Sequence, residues 1–396
     1  MSCSRPEAAP GTGGARPLLA EFFQRHGPAF AERHCLSPAQ RRALQDILRC
    51  RTAALGGHVF ECDRCEYQLP MYNSCLNRNC PQCQAFAQAR WIAARTQRLL
   101  PVGHHHVVFT LPSELRSLAR LQPRQVFAAL FEATSQTLEE LARDELGGRL
   151  GITAVLHTWT RELTWHPHLH CVVTAGALSL DGKRWIDQSS RLFDVNTIKA
   201  TFRTKLLASL QRRIHTGDIV LAPPDDADID PWHQLCDSLP SWRKWVVYIE
   251  PPFGRSTHVI EYLGRYTHRI GISNARVVDA DDHGITFRTR GDDTTTLAPD
   301  TFLHRFLQHV LPPGFHKIRH YGLYAAAHAS RLWPIAAAIL GDGDGLHDDL
   351  SERDAEIVGA DALTLLATLT GIDPRQCPCC HVGRLTARPI PKPRPP

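Results

Sequence analysis

Between residues 62 and 83 the chain carries two Cys-x2-Cys pairs, Cys62/Cys65 and Cys80/Cys83, separated by 14 residues. Four thiolates at this spacing can surround one zinc ion tetrahedrally at about 2.3 Å, and the ion supplies cohesion that so short a loop cannot bury for itself. Cys75 stands between the pairs and either substitutes for one ligand or stays free. The other reading of these cysteines, small buried hydrophobes, fits the doubled spacing poorly. Near the far end, Cys377-Pro-Cys-Cys380 offers one more pair, with His381 as its only obvious helper, so Cys377 and Cys380 are candidates for a second zinc. Arg64, Arg78 and Arg90 flank the first cluster and would suit contacts to a nucleic-acid backbone.

Thirteen cysteines would suggest disulfides in a secreted chain. Here the first residues hold Pro6, Pro10, Gly11, Gly13 and Gly14 in place of the apolar run of a signal peptide, and read as a flexible leader. No stretch approaches the roughly 18 apolar residues that span a bilayer. A cytoplasmic, reducing location follows, where clustered cysteines bind metal. The 396 residues suggest two or three domains, and 43% hydrophobic with 21% charged residues excludes a disordered chain. A net charge of +5 is no argument for a polyanionic partner. Lysine fills six of the 45 basic positions, so 39 are arginine; the planar fork suits phosphate, but GC-rich coding DNA gives the same bias.

Apolar spacing predicts helices over Leu18–His34 and from Ser37-Pro38, an N-cap and N1 pair, to Arg51. Ala85–Leu100, free of proline and glycine, is a third. The period then changes. His106–Leu111, Ile152–His157 and His168–Val173 have strand length and composition, with a helix over Arg124–Glu145 between the first two. This order describes an α+β domain with an antiparallel sheet. Pro223–Pro240 is acidic and proline-bearing and reads as a surface insertion; Trp245–Ile249 returns to strand, and Val259–His268 to helix.

His166-Pro-His168-Leu-His170 is the most informative short run. On a strand, His168 and His170 share a face and can grip one ion, with Leu169 turned to the core behind. His157, closing the preceding strand, is placed to be a third ligand. Chance is a real competitor in a chain with 22 histidines. Tyr262-Leu-Gly-Arg-Tyr266 sets two phenols one helical turn apart, so two nucleophiles reach one site, or else an aromatic stripe packs into a core. Arg265, His268 and Arg269 weaken the apolar alternative. Gly264 inside this helix implies close approach of something to its backbone.

These blocks, in this order from Leu18 to Tyr324, resemble the two-tyrosine HUH class of rolling-circle insertion-sequence transposases, in particular the IS91-like group. The resemblance implies an N-terminal helical zinc-binding domain (17–100) after a leader (1–16). An HUH single-strand endonuclease domain follows (101–275), with a central antiparallel sheet flanked by helices and an insertion around 177–243. A C-terminal region (276–385) and a disordered tail (386–396) complete the chain. It also implies His168 and His170 as the HUH pair with His157 as third ligand to Mg²⁺ or Mn²⁺, Tyr262 and Tyr266 as nucleophiles, and Cys62, Cys65, Cys80 and Cys83 around structural Zn²⁺. Arg265 and Arg269 would touch DNA. The implied activity is nicking and rejoining of single-stranded DNA at transposon ends and target through a 5′-phosphotyrosine, in a cytoplasmic, nucleoid-associated protein that is free to self-associate. A replication initiator or relaxase would share this chemistry. A non-catalytic zinc-containing DNA-binding protein is the other class, and a metal-dependent hydrolase lacks the carboxylates it would need. Asn79 departs from the family's frequent histidine, and the stretch Arg288-Thr-Arg-Gly-Asp-Asp is shorter than the family's basic segment.

Overall fold

The computed structural model describes residues 19–223, 230–253, 271–341 and 360–393, together with Gly264 and Ile357. Helices α1 (Leu19–Arg33) and α2 (Pro38–Arg49) open it. A capping box starts α2: Gln40 N–H donates to the Ser37 hydroxyl, Ser37 N–H donates to the Gln40 side chain, and Pro38 occupies a position with no intrahelical bond to lose. The hairpin β1 (Gly57–Cys62) and β2 (Gln68–Tyr72) follows, then α3 (Ala85–Thr96).

Next come β3 (His104–Thr110), α4 (Arg116–Leu121), α5 (Pro123–Leu146), β4 (Gly148–Arg149), β5 (Gly151–Trp159), β6 (Trp165–Thr174), β7 (Gly176–Ser179) and β8 (Trp185–Asp187). Helices α6 (Val195–His215) and α7 (Pro231–Ser238) lead to β9 (Val247–Phe253). A meander of β10 (Val277–Ala280), β11 (Ile285–Arg288) and β12 (Thr294–Leu297), the helix Pro299–Gln308 and β13 (Ile318–Gly322) come after it. The helices Leu332–Leu340 and Ala362–Thr370 and strand β14 (Leu385–Ile390) close the described chain.

Among the described residues the central sheet has five strands in the order β13-β5-β6-β3-β9, every neighbouring pair antiparallel. Strand alternation divides its side chains sharply. Ile152, Ala154 and Leu156 of β5, Leu169, Cys171 and Val173 of β6, and Val107 and Phe109 of β3 form the main core with α5 and α6. Each fully buried side chain of this kind contributes roughly 1.5–3 kcal/mol. The opposite face of the same strands presents His157, His168, His170 and His106, a set no dry core would accept without a partner for each ring. The fold thus spends one face on stability and keeps the other for chemistry.

Segments distant in sequence share cores. The stretch read as an insertion (177–243) supplies α6, whose Ile198, Phe202, Leu206 and Leu210 belong to the main core. Phe22, Phe23 and Phe30 of α1 pack with Phe287 of β11 and with Phe302 and Phe306 of the helix Pro299–Gln308. Residues 17–100 and 276–385 therefore hold one core in common. Helix Ala362–Thr370 meets α3 through Leu365 and Ala93.

Candidate metal centre and DNA cleft

Strand pairing sets His157 of β5 directly opposite His168 of β6, and the two-residue period brings His170 to the same face. One ligand atom from each of the three lies within 4.8 Å of the others. His168 Nδ1 meets the backbone carbonyl of His166 at 2.6 Å, so Nδ1 carries the proton and Nε2 is left as the ligand, 3.0 Å from His170 Nε2. His170 Nδ1 meets His106 Nε2 at 2.7 Å, and His106 Nδ1 meets Glu250 Oε2 at 2.9 Å. An ionised carboxylate only accepts, so His106 donates from Nδ1 and accepts at Nε2 from His170, whose Nε2 lone pair then faces its two neighbours. Trp159 stacks on His157 with ring centroids 5.1 Å apart.

Burial pushes His168 down to about 4, and it drives His157 and His170 well below the ordinary histidine range, with the neighbouring imidazoles adding to the effect. All three are neutral at pH 7, the form that binds metal. They form the floor of a 550 Å³ cleft walled by Trp159, Arg161, Gly271, Arg276, Arg288 and Thr289 among the described residues. The donor set and the basic wall suit a cation together with a phosphate.

The cysteines assemble differently from the sequence expectation. Cys62 and Cys65 do not share a site with Cys80 and Cys83. The thiols of Cys80 and Cys83 group with Cys50 and Cys75, whereas Cys62 and Cys65 group with Cys377 and Cys380. The reason is the hairpin: β1 carries Cys62 to its turn end, roughly 17 Å of strand away from its open end. At that open end Asn73 N–H bonds to Gly56 O and returns the chain to Cys50. Cys75 is thus a full member of a group, and Cys50, which stands alone in sequence at the end of α2, completes it. Cys75 N–H donates to Cys50 Sγ, and Cys75 and Cys83 Sγ lie 3.7 Å apart.

A family profile described as "Transposase zinc-binding domain" matches residues 22–111, and one described as "Putative transposase" matches 151–331. The "Putative transposase y4qJ" of Sinorhizobium fredii is 40% identical over 381 residues, 93% of this chain and 94% of that protein. This chain belongs to the IS91-like transposases. The "Transposase for insertion sequence element IS801" of Pseudomonas savastanoi pv. phaseolicola is 30% identical over 299 residues, covering 70% of this chain and 68% of that relative. No solved structure matches the chain.

As a transposase the protein acts on DNA, and its zinc-binding domain contains the group Cys50, Cys75, Cys80 and Cys83. No described helix is long and apolar enough to cross a membrane. Tyr262, Tyr266, Arg265 and Arg269 lie outside the described residues. Gly264, between the two tyrosines, is described: it is helical and buried, and a Cβ there would fall 2.3 Å from Ile92 Cγ1 of α3. That is the close approach its sequence position implies.

Other arginines of the transposase are committed to the fold. Arg78 donates to the carbonyls of Phe315, Leu311 and Pro312, and Arg90 to that of Ala360, so neither is free for a DNA backbone as the sequence suggested. Trp165 is buried, stacks on His309 and donates to Arg116 O, which makes it a packing residue. His106, Glu250, Arg161 and Arg276 escaped the sequence reading, and Arg288 entered it only as the start of a shortened basic segment. The run His104-His-His106, on the strand that pairs with His168-Leu-His170, was the available signal for His106.

Proposed function

We propose that this chain nicks and rejoins single-stranded DNA by tyrosine transesterification at transposon ends and target. The observation that carries the reading is the convergence of neutral, buried His157, His168 and His170 at the floor of an arginine-walled cleft. These three residues would hold Mg²⁺ or Mn²⁺; because imidazoles alone favour softer ions, oxygen donors of the substrate would have to complete the ligand set. Held there, a cation would supply charge neutralisation and orientation to the scissile phosphate.

The phenolic oxygen of Tyr262 or Tyr266 attacks phosphorus, and the bond from phosphorus to the 3′ oxygen breaks. The departing oxygen takes up a proton and leaves as a 3′-hydroxyl, while the 5′ phosphate stays on tyrosine. One phosphoester replaces another, so a 3′-hydroxyl can reverse the step with no ATP. The second tyrosine allows another strand to be cut before the first is rejoined. Arg161 and Arg288 are placed to track the backbone, Arg276 is held in the cleft wall by its bonds to the carbonyls of Gly271, Arg161 and Arg288, and Arg265 and Arg269 flank the nucleophiles in sequence. Cys50, Cys75, Cys80 and Cys83, whose sulfurs converge, would hold a structural Zn²⁺.

Labelled single-stranded DNA carrying an element end, incubated with the purified protein and Mn²⁺ and resolved on a denaturing gel, tests this. A labelled protein band is expected, absent in Tyr262→Phe/Tyr266→Phe and in His168→Ala. Cleavage with no covalent band would point to a hydrolase instead, and binding with no cleavage to a DNA-binding protein.

A further inference from the structure

We propose that Cys62, Cys65, Cys377 and Cys380 form a second zinc site, a metal clasp that fastens the C-terminal strand to the N-terminal zinc-binding domain. The geometry is already that of a thiolate cage. Four sulfurs at about 2.3 Å from one ion in a tetrahedron stand about 3.8 Å from each other. Cys62 Sγ lies 3.7 Å from Cys380 Sγ and Cys65 Sγ 3.7 Å from Cys377 Sγ, pairs separated by 318 and 312 residues of sequence. All four sulfurs are within 4.8 Å of one another.

Backbone amides point at these sulfurs as they would at thiolates. Arg64 N–H donates to Cys62, Cys379 N–H to Cys377 and Gly383 N–H to Cys380. Gly383 has no room for a side chain, since a Cβ there would sit 2.4 Å from Cys62 Sγ. The two knuckles are further locked by Asp63, whose N–H donates to Arg384 O and whose Oδ1 accepts from Arg384 N–H.

The surrounding sheet gives the independent argument. β14 pairs with β1 over six positions, from Gly57 opposite Ile390 to Cys62 opposite Leu385, and β2 pairs on the other side of β1. Of the residues in these three strands only Gly57 is buried. A three-stranded sheet with no buried apolar face has little to hold it in water, and a bound ion is the cohesion that remains. The matched zinc-binding domain ends at residue 111, so half of this site lies far beyond it. The clasp is independent of the nicking chemistry.

Metal analysis of the purified full-length protein should give two zinc ions per chain. Cys377→Ser/Cys380→Ser and Cys62→Ser/Cys65→Ser should each lower the count to one, and Cys75→Ser/Cys83→Ser should remove the other ion. A count of one in the unaltered protein, or a count unchanged by Cys377→Ser/Cys380→Ser, overturns the proposal. Because serine variants can unfold the segment, Cys380→His keeps a ligand in place. In the cadmium-113 protein, two thiolate-bound resonances are expected, of which Cys380→His moves one. Both resonances unmoved would equally overturn the clasp.

Discussion

Removing the Glu250 carboxylate should weaken divalent metal at the histidine site without any ligand being touched. Glu250 Oε2 is 2.9 Å from His106 Nδ1, and His106 Nε2 is 2.7 Å from His170 Nδ1, which makes a carboxylate-histidine-histidine chain behind the ligand atom. The carboxylate fixes the tautomer of His106, that tautomer requires a proton on His170 Nδ1, and the proton there leaves His170 Nε2 as the ligand. Loss of such outer partners typically costs about 10–100-fold in metal affinity. His106 is 3% exposed and its partner Glu250 side chain 33% exposed, so water can replace part of the carboxylate's role and none of the ring's. Glu250→Gln is therefore expected near the tenfold end and His106→Leu near the hundredfold end, read as the Mn²⁺ dissociation constant by calorimetry. His168→Ala, which removes a ligand, sets the scale. Mn²⁺ affinity unchanged in both outer variants while His168→Ala abolishes binding would refute the relay and leave the metal site standing; no Mn²⁺ binding in the unaltered protein would refute the metal site itself.

Three other perturbations follow from the packing. Gly264→Ala places a Cβ 2.3 Å from Ile92 Cγ1 and should cost about 1–3 kcal/mol by thermal unfolding, with Gly264→Ala/Ile92→Ala recovering most of it; simple additivity in that cycle would contradict the contact. Arg78→Met leaves three carbonyls without their donor and should cost about 2 kcal/mol while DNA affinity at fixed salt holds, whereas a loss of affinity with stability intact would make Arg78 a DNA contact after all. Burial pushes His104 and His309 down to about 4 from an ordinary 6.5, so between those values the unfolded chain binds more protons than the native one. Stability should fall as pH drops from 6.5 to 4, by up to about 3 kcal/mol for each ring, and urea midpoints that stay flat across this window would refute the burial argument.

Much of the frame was legible from local pattern. The capping sequence Ser37-Pro38-x-Gln40 names the start of α2, and the alternating His168-Leu169-His170 names both faces of β6, because each signal is complete within a few residues. His157 could be paired with them since a β-hairpin leaves few registers once one face must be apolar. Gly264 announced a close contact but not with what, as Ile92 is 172 residues earlier. The cysteine pairs were seen and their partnership misassigned, because spacing along the chain cannot report that a hairpin sets its two ends strand-length apart. Cys50 carried no motif, and Glu250 was one acidic residue among 40 acidic positions.

What the sequence determined by itself was the set of chemical parts: knuckle cysteines, a His-x-His strand, a pair of tyrosines, and the order of helices and strands that bears them. Those follow from residue type and short-range period, where neighbours along the chain are neighbours in space. The tertiary structure alone decided which parts share a site: that Cys62 meets Cys380, that Glu250 stands behind His170 through His106, and that α1 and β11 share a core. The physical reason is that these contacts are selected by burial and ligand geometry across the whole chain, and short-range period carries no information about separations of tens to hundreds of residues.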